Sequence, residues 1–335
     1  MRIILDGMGG DNAPLEIVKG AVEASSKIDH QIVIVGREDE INAELAKYNY
    51  DESKIQVVHA SEVIENEDSP VKAIRRKTDS SMVKGLTMLK DGEGDLFISA
   101  GNTGAYMAGS LFILGRIPGI DRPAISSIYP IAGGALPSII VDAGANSECR
   151  PSNLLEFAIM GSLYMEKVMD RKNARVGLVN LGVEENKGTT VTKAAHKLLK
   201  EADLNFIGNV EARDVPKGAC DVIVCDGFTG NIILKLTEGF AWNLLKTMKK
   251  KFTDGLSVKM GAVLLAGKVK EIKDEFDYSE YGGAPILGVN GHVIKIHGSS
   301  GATAVKNAII KGIPYAQENV VGRITSAMEG VDVEE

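Results

Sequence analysis

Short, continuous apolar runs recur along the chain, and most end in a cluster of glycine, asparagine and small polar residues. Arg2–Leu5, Gln31–Val35, Ile55–His59, Leu96–Ser99, Ser138–Val141, Val176–Asn180, Leu204–Ile207 and Val222–Cys225 read as strands. Runs this short and unbroken suit strands buried on both faces. The windows between them are long enough for helices. One helix opens near Pro14, where proline fits the first turn, and another spans Val71–Lys90 with the basic cluster Arg75-Arg76-Lys77. Strands alternating with helices imply an α/β fold with a mostly parallel, Rossmann-like sheet. No linker, low-complexity tract or sequence repeat interrupts residues 1–335, so the chain reads as a single interdigitated α/β domain.

Residues 240–273 follow a different period. Leu245, Met248, Phe252, Leu256, Met260 and Val263 are spaced 3, 4, 4, 4 and 3 apart, which puts them on one helical face. The window 246–273 holds eight lysines against two acids, Asp254 and Glu271, a local charge of +6 on a chain of net charge −7. Gly255, Gly261 and Gly267 interrupt the pattern, so a bent helix or helical hairpin is expected rather than one rod. Such a protruding basic amphipathic arm either packs a dimer with its charges solvated or offers a face to anionic lipid or an acidic partner protein. The two roles are compatible.

Seven polar loops punctuate the chain: Asp6-Gly-Met-Gly-Gly-Asp11, Ser99-Ala-Gly-Asn-Thr-Gly104, Asp142-Ala-Gly-Ala-Asn-Ser147, Asn180–Gly188, Asp226-Gly-Phe-Thr-Gly-Asn231, Tyr281-Gly-Gly-Ala-Pro285 and His297-Gly-Ser-Ser-Gly301. A strand that ends in such a loop and runs into a helix presents backbone N–H groups at the positive end of the helix dipole. That geometry binds phosphate and other anions. One such loop means little; seven point to a sheet whose carboxyl edge is a polar cleft lined by backbone.

Composition narrows the classes. With 335 residues, 44% hydrophobic and 25% charged, the chain has ample core for a soluble globular protein, although aromatics supply only 5%. The net charge of −7 argues against a nucleic-acid partner. Three apolar residues before Asp6 make no signal-peptide core, and the longest apolar stretch, Ala105–Leu114, falls far short of the roughly 18 residues of a membrane span. Cys149, Cys220 and Cys225 form no CxxC pair and the five histidines show no ligand spacing. The expectation is a cytoplasmic protein that needs neither metal nor cofactor.

Familiar catalytic fingerprints fail. Gly7-Met-Gly9-Gly10 does not extend to GxGxxG, because Asn12 stands where the third glycine belongs. There is no GxxxxGK[ST], no GxSxG and no Cys/His pair at a loop, and Gly182-x4-Lys187-Gly188 reverses the phosphate-loop order. What remains are amides, hydroxyls, backbone N–H groups and a few charges. Asn102, Asn146, Asn180 and Asn231 sit in or beside the loops, and an Asn amide donates to a developing oxyanion without titrating itself. Each taken singly also suits a turn or helix cap. Lys187 either neutralises a phosphate or is a solvated loop lysine. Asp226 is a general base, an orienting carboxylate or a cap, and His297 opens a hydroxyl-lined anion nest. This inventory suits a reaction whose substrate supplies its own nucleophile, such as phosphate attacking a thioester. There the protein cradles phosphate, stabilises a tetrahedral oxyanion and aligns the reactants.

The blocks Asp6–Pro14, Ser99–Ala105, Gly208–Arg213, Asp226–Asn231, Tyr281–Ala284 and His297–Ser300 together resemble the bacterial phosphate acyltransferases of phospholipid synthesis, over nearly the whole chain. Asn12 and Asp142-Ala143 depart modestly from that pattern. The resemblance implies a fold of the isocitrate/isopropylmalate dehydrogenase-like and phosphotransacetylase-like type. It implies transfer of a long acyl chain from acyl carrier protein to inorganic phosphate, giving acyl phosphate, by a homodimer loosely attached to the inner face of the cell membrane. Asp221–Asn231 is similar to the phosphotransacetylase segment that supplies an active-site aspartate, which favours Asp226. Asp226, Asn231 and His297 are therefore the candidate catalytic residues. Gly101, Asn102, Thr103, Asn146, Asn180, Lys187 and Ser299 are the candidate phosphate or substrate contacts. Lys250, Lys251, Leu256, Lys259, Met260 and Leu264 are the candidate contacts to anionic membrane or to acidic acyl carrier protein. Two rivals stay open: a metal- and NAD-dependent decarboxylating dehydrogenase of related fold, and a non-catalytic scaffold that recruits acyl carrier protein to the membrane.

Overall fold

The computed structural model describes residues 1–329 except 132, 134, 254–255 and 276–280. The side chains at 135, 256–257, 259–260, 263 and 275 also lie outside the description. In chain order the elements are β1 (Arg2–Asp6), α1 (Leu15–Ser25), β2 (Gln31–Gly36), α2 (Glu38–Leu45), β3 (Ile55–His59), α3 (Pro70–Arg76), α4 (Ser81–Lys90), β4 (Leu96–Ser99) and α5 (Thr103–Gly109). The chain continues through β5 (Ala124–Ile131), β6 (Ala135–Val141), α6 (Pro151–Lys167), β7 (Val176–Asn180), α7 (Thr190–Glu201), β8 (Phe206–Glu211) and β9 (Val222–Val224). It ends with α8 (Gly227–Phe252), α9 (Leu256–Glu275), β10 (Ala284–Leu287), β11 (Val293–Lys295), α10 (Ala302–Gln317) and α11 (Val320–Met328).

One eleven-stranded sheet runs in the order β3-β2-β1-β4-β11-β10-β5-β6-β9-β7-β8. Alternate residues of each strand feed opposite faces. Ile3, Leu5, Ile32, Ile34, Leu96 and Ile98 join the core under α1, α6, α7, α10 and α11. Ile4, Val33, Val35 and Phe97 join the core under α3, α4 and α5. Both faces being covered explains why the strands read as unbroken apolar runs.

The sheet is mostly parallel, in two blocks. β3, β2, β1, β4 and β11 share one direction; β6, β9, β7 and β8 share the other. The reversal occurs between them, where β10 pairs antiparallel with β11 and β5, and β5 pairs antiparallel with β6. A single carboxyl edge carrying all the loops is therefore not what forms. The two blocks send their carboxyl-end loops the opposite way along the strands.

Two further boundaries differ from the sequence reading, whereas the hairpin expected over residues 240–273 forms. The helix expected over Val71–Lys90 is two helices, because the chain leaves the helical region at Lys77 and Ser80 starts α4 as an N-cap, its Oγ accepting from Val83 N at 3.4 Å. The strand expected at Leu204–Ile207 lies two residues later, as β8. The apolar stripe from Leu245 to Val263 is divided between α8 and α9, which fold back on one another as a hairpin. No helix among the described residues is long and apolar enough to cross a membrane.

Candidate active site

A cavity of about 290 Å³ lies over the reversal in the sheet. Ile125, Ser127 and Ile128 of β5 and Ala284 of β10 line it from the sheet. Thr103 comes from the loop after β4, Ala143 and Gly144 from the loop after β6, and Asn231 from the first turns of α8. Tyr281 and Gly283 precede β10, and His297, Gly298 and Ser300 follow β11. Five of the seven polar loops thus meet here. The loop Asp6–Asp11 supports them from behind, with Asp11 N–H donating to the Gly298 carbonyl at 2.8 Å.

Close backbone packing brings the two halves of the site together. Gly230, in the first turn of α8, lies so near the Asp142 loop that a Cβ there would stand 1.9 Å from the Asp142 carbonyl oxygen. The next residue, Asn231, is carried against Gly144, whose φ of +142° favours glycine. Asp226 caps α8: Oδ1 accepts from Thr229 N at 2.7 Å and Oδ2 from Thr229 Oγ1 at 3.1 Å. It does not line the cavity, but it fixes the helix that presents Asn231.

His297 has a defined tautomer. The Ser299 backbone N–H, which can only donate, points at Nδ1 at 3.2 Å, and Ser299 Oγ lies 2.8 Å from the same nitrogen. Nδ1 is therefore an acceptor, and neutral His297 carries its hydrogen on Nε2. Partial burial, with Lys235 and Lys295 nearby, lowers its pKa and favours that neutral form. Lys235 pairs with Glu238 at 2.9 Å where α8 lines the cavity.

The other sequence candidates are placed as follows. Thr103 lines the cavity, while the Asn102 amide donates to the carbonyls of Glu65, Asn66 and Asp68 and its Oδ1 caps α5 through Ala105 N at 2.9 Å. Gly101 packs beside the buried Asp6 carboxylate. Asn146 gives both amide hydrogens to Asp142 Oδ2 and the Pro123 carbonyl. Asn180 and Lys187 share their own loop beyond β7, where Asn180 Nδ2 donates to the Lys187 carbonyl at 3.2 Å, and they do not line the cavity. Lys250, Lys251 and Leu264 are exposed on the hairpin; the side chains of Leu256, Lys259 and Met260 are outside the described residues.

Lys295 escaped sequence reasoning, and Ser300 entered it only as part of the hydroxyl-lined loop after His297. Lys295 is only 8% exposed, and burial lowers its pKa to about 8. Ser300 is 6% exposed and its Oγ has no hydrogen-bond partner. The available signal was a lysine set between isoleucines at the end of an apolar run. No cysteine lines the cavity, and burial pushes the thiols of Cys149 and Cys220 up to about 12 and Cys225 up as well. Among the described residues no group of three or more His, Cys, Asp or Glu is disposed to hold a metal ion.

The arrangement combines anion-binding donors with no thiol. A family model described as "Fatty acid synthesis protein" matches residues 1–323. The phosphate acyltransferase of Alkaliphilus oremlandii is 52% identical over 335 residues, covering 100% of this chain and 99% of its own. In fold, the chain is similar to a phosphotransacetylase from Streptococcus pyogenes (TM-score 0.63, 16% identity, 95% and 94% of the two chains covered). It is also similar to a 4-hydroxythreonine-4-phosphate dehydrogenase from Klebsiella pneumoniae (TM-score 0.56, 10% identity, 95% and 98% covered). Half-identity over the whole length decides the matter, and the chain belongs to the phosphate acyltransferases, acyl-transferring enzymes of the fatty acid synthesis protein family.

Proposed function

We propose that the chain moves a long-chain acyl group from an acyl carrier protein thioester to inorganic phosphate by direct attack, without a covalent enzyme intermediate. The observation that carries this reading is the convergence of five polar loops on one cavity of amide, hydroxyl, imidazole and ammonium donors. An oxygen of inorganic phosphate, which is substantially dianionic near neutral pH, attacks the thioester carbonyl carbon. As the C–O bond forms, the carbonyl electron pair moves to oxygen; as the tetrahedral species collapses, the C–S bond breaks. The leaving thiolate, of ordinary pKa near 8.5, needs no strong acid. The Asn231 amide and the Nε2–H of His297 are the donors assigned to the oxyanion, with Thr103 toward phosphate and Asp226 positioning Asn231 through α8.

The same reading makes the active species a homodimer held peripherally at the inner membrane face. Phe228, Ile232, Leu236 and Phe240 follow one another at four-residue intervals along α8 and are all exposed, a stripe that a second copy would cover. The hairpin groove, of about 570 Å³, is apolar between Trp242, Leu245, Phe252 and Val269 and rimmed by Lys246, Lys249, Lys270 and Lys273. That chemistry supports docking of an anionic surface.

A second reading has one contact in its favour. Ser299 Oγ lies 2.8 Å from His297 Nδ1, a nucleophile–base distance. The pair is an i, i+2 contact within one loop, and Ser299 does not line the cavity, so direct attack is preferred. The test is phosphate-dependent thiol release from long-chain acyl carrier protein, with acyl phosphate trapped by hydroxylamine. Turnover by the wild type with Ser299→Ala retaining most of it supports direct attack. Loss of turnover in Ser299→Ala, with an acyl adduct on wild-type Ser299, supports the covalent route. No turnover by the wild type removes the proposal.

A further inference from the structure

Lys295 ends a strand in the middle of the sheet, between β4 and β10, yet its side chain reaches the cavity. Its Nζ donates to the neighbouring Ile296 carbonyl, and no carboxylate closes an ion pair with it among the described residues. The two acids that sense it are engaged elsewhere. Asp6 accepts from Ser81 Oγ and Ser99 Oγ, each at 2.6 Å, and from Met8 N at 3.3 Å. Asp11 Oδ1 accepts from Asn66 Nδ2 at 3.0 Å. A buried ammonium left in this state is strongly unfavourable unless a ligand completes it. Ser300 supplies the second observation: a buried hydroxyl on the cavity wall with no partner. The neighbouring helix end is not the source of anion affinity, because Glu16 Oε2 already accepts the Ala302 N–H of α10 at 2.6 Å. The other cavity lysine, Lys235, is more exposed and is matched by Glu238.

We infer that Lys295 and Ser300 form the anion-holding pocket of this cavity, in which the ammonium neutralises the phosphate co-substrate and the hydroxyl donates to one of its oxygens. This rests on phosphate acyl transfer as the reaction and adds the residues that hold the attacking group. A phosphate beside Lys295 offsets the burial that depresses the lysine, since an opposite charge favours the protonated form. Lys295 is thus assigned to holding phosphate through its charge.

The test uses the full chain and inorganic phosphate. Wild type is expected to show a saturable rise in melting temperature with phosphate, and Lys295→Met to lose it. The phosphate KM is expected to rise at least tenfold in Lys295→Met and several-fold in Ser300→Ala, with the thioester KM within twofold of wild type. A folded Lys295→Met with a wild-type phosphate KM overturns the assignment. Should that variant not fold, wild type is treated with cyanate, a small amine-selective reagent, and the sites are mapped by mass spectrometry. Protection of Lys295 by phosphate supports the pocket, and equal labelling with and without phosphate overturns it. Phosphate binding without thioester cleavage by the wild type leaves the pocket standing and sinks the proposed reaction; turnover with an unchanged Lys295→Met phosphate KM does the reverse.

Discussion

The Asn146 amide donates to Asp142 Oδ2 at 2.9 Å while the Asn146 backbone N–H reaches the same oxygen at 2.7 Å. The Asp142 carboxyl is fully buried, and its remaining acceptors take the N–H groups of Ile125, Gly144 and Ala145. Burial raises its pKa even so. This wheel of bonds shapes the loop that lays Gly144 beside Asn231. Asn146→Ala removes two side-chain bonds and strands the Pro123 carbonyl, for a loss of about 2 kcal/mol in folding stability. The phosphate KM is expected to stay within twofold, since no cavity-lining atom is removed. Urea denaturation and steady-state kinetics check this together; a tenfold KM rise at unchanged stability would make Asn146 a ligand.

The hairpin prediction separates membrane attachment from chemistry. Leu264 is 86% exposed on α9, far out along the arm. A carboxylate there meets both an apolar requirement and like charge on anionic lipid. Leu264→Glu is expected to abolish co-sedimentation with phosphatidylglycerol vesicles while turnover of a soluble thioester is retained. Equal vesicle binding by wild type and variant would take the arm out of the membrane role.

How much of this was legible in the sequence depends on whether the signal was local. β1 to β4 were readable because Ile3-Ile4-Leu5 or Ile32-Val33-Ile34-Val35 declare burial on both faces by themselves. β5 was missed: Ser126, Ser127 and Pro130 break the apolar run, and an antiparallel strand at the centre is a property of pairing rather than of composition. β10 and β11 were missed because Pro285 and Lys295 interrupt runs that are already short and flanked by glycines. Thr103, Asn231 and His297, which line the cavity, were legible as candidates because polar loops mark themselves. Asn180 and Lys187 carry the same local pattern, yet β7 lies next to the far end of the sheet, away from the reversal. Lys295 fails in the opposite sense. Its neighbours suggest an ordinary strand, and only the folded structure shows that this lysine lines the cavity.

His292 makes the fold acid-sensitive. Its Nε2 is buried without a partner, and its ring stands edge-on to Tyr315 at 4.9 Å. Burial lowers its pKa to about 4 from an ordinary 6.5. The unfolded chain therefore takes up this proton first as pH falls, so the contribution is fully present above 6.5 and is lost between 6.5 and 4. Between pH 7 and pH 5 the loss from this group is about 2 kcal/mol. His292→Phe keeps the ring contact and removes the titration. Denaturation of both proteins at the two pH values should show the wild type losing that much more than the variant; equal losses would mean that the His292 pKa is unshifted.

Lys295 is expected to trade stability for binding. Its folded pKa, about 8, lies below the ordinary 10.5. The unfolded state thus holds the extra proton between those values, and stability rises with pH across that window as the burial penalty is relieved. The groups that set the balance are Asp6 and Asp11, which favour the charged form, and the surrounding burial, which opposes it more strongly. Lys295→Met replaces a buried cation by an apolar side chain of similar length, and is expected to gain about 2 kcal/mol at pH 7 in phosphate-free buffer. The gain should shrink as the pH approaches 10. Adding phosphate should narrow it from the other side, since only the wild type gains from the ligand. Calorimetry over pH, with and without phosphate, checks both trends. A variant that is less stable than wild type at every pH would mean that Lys295 holds up the β11 end of the sheet.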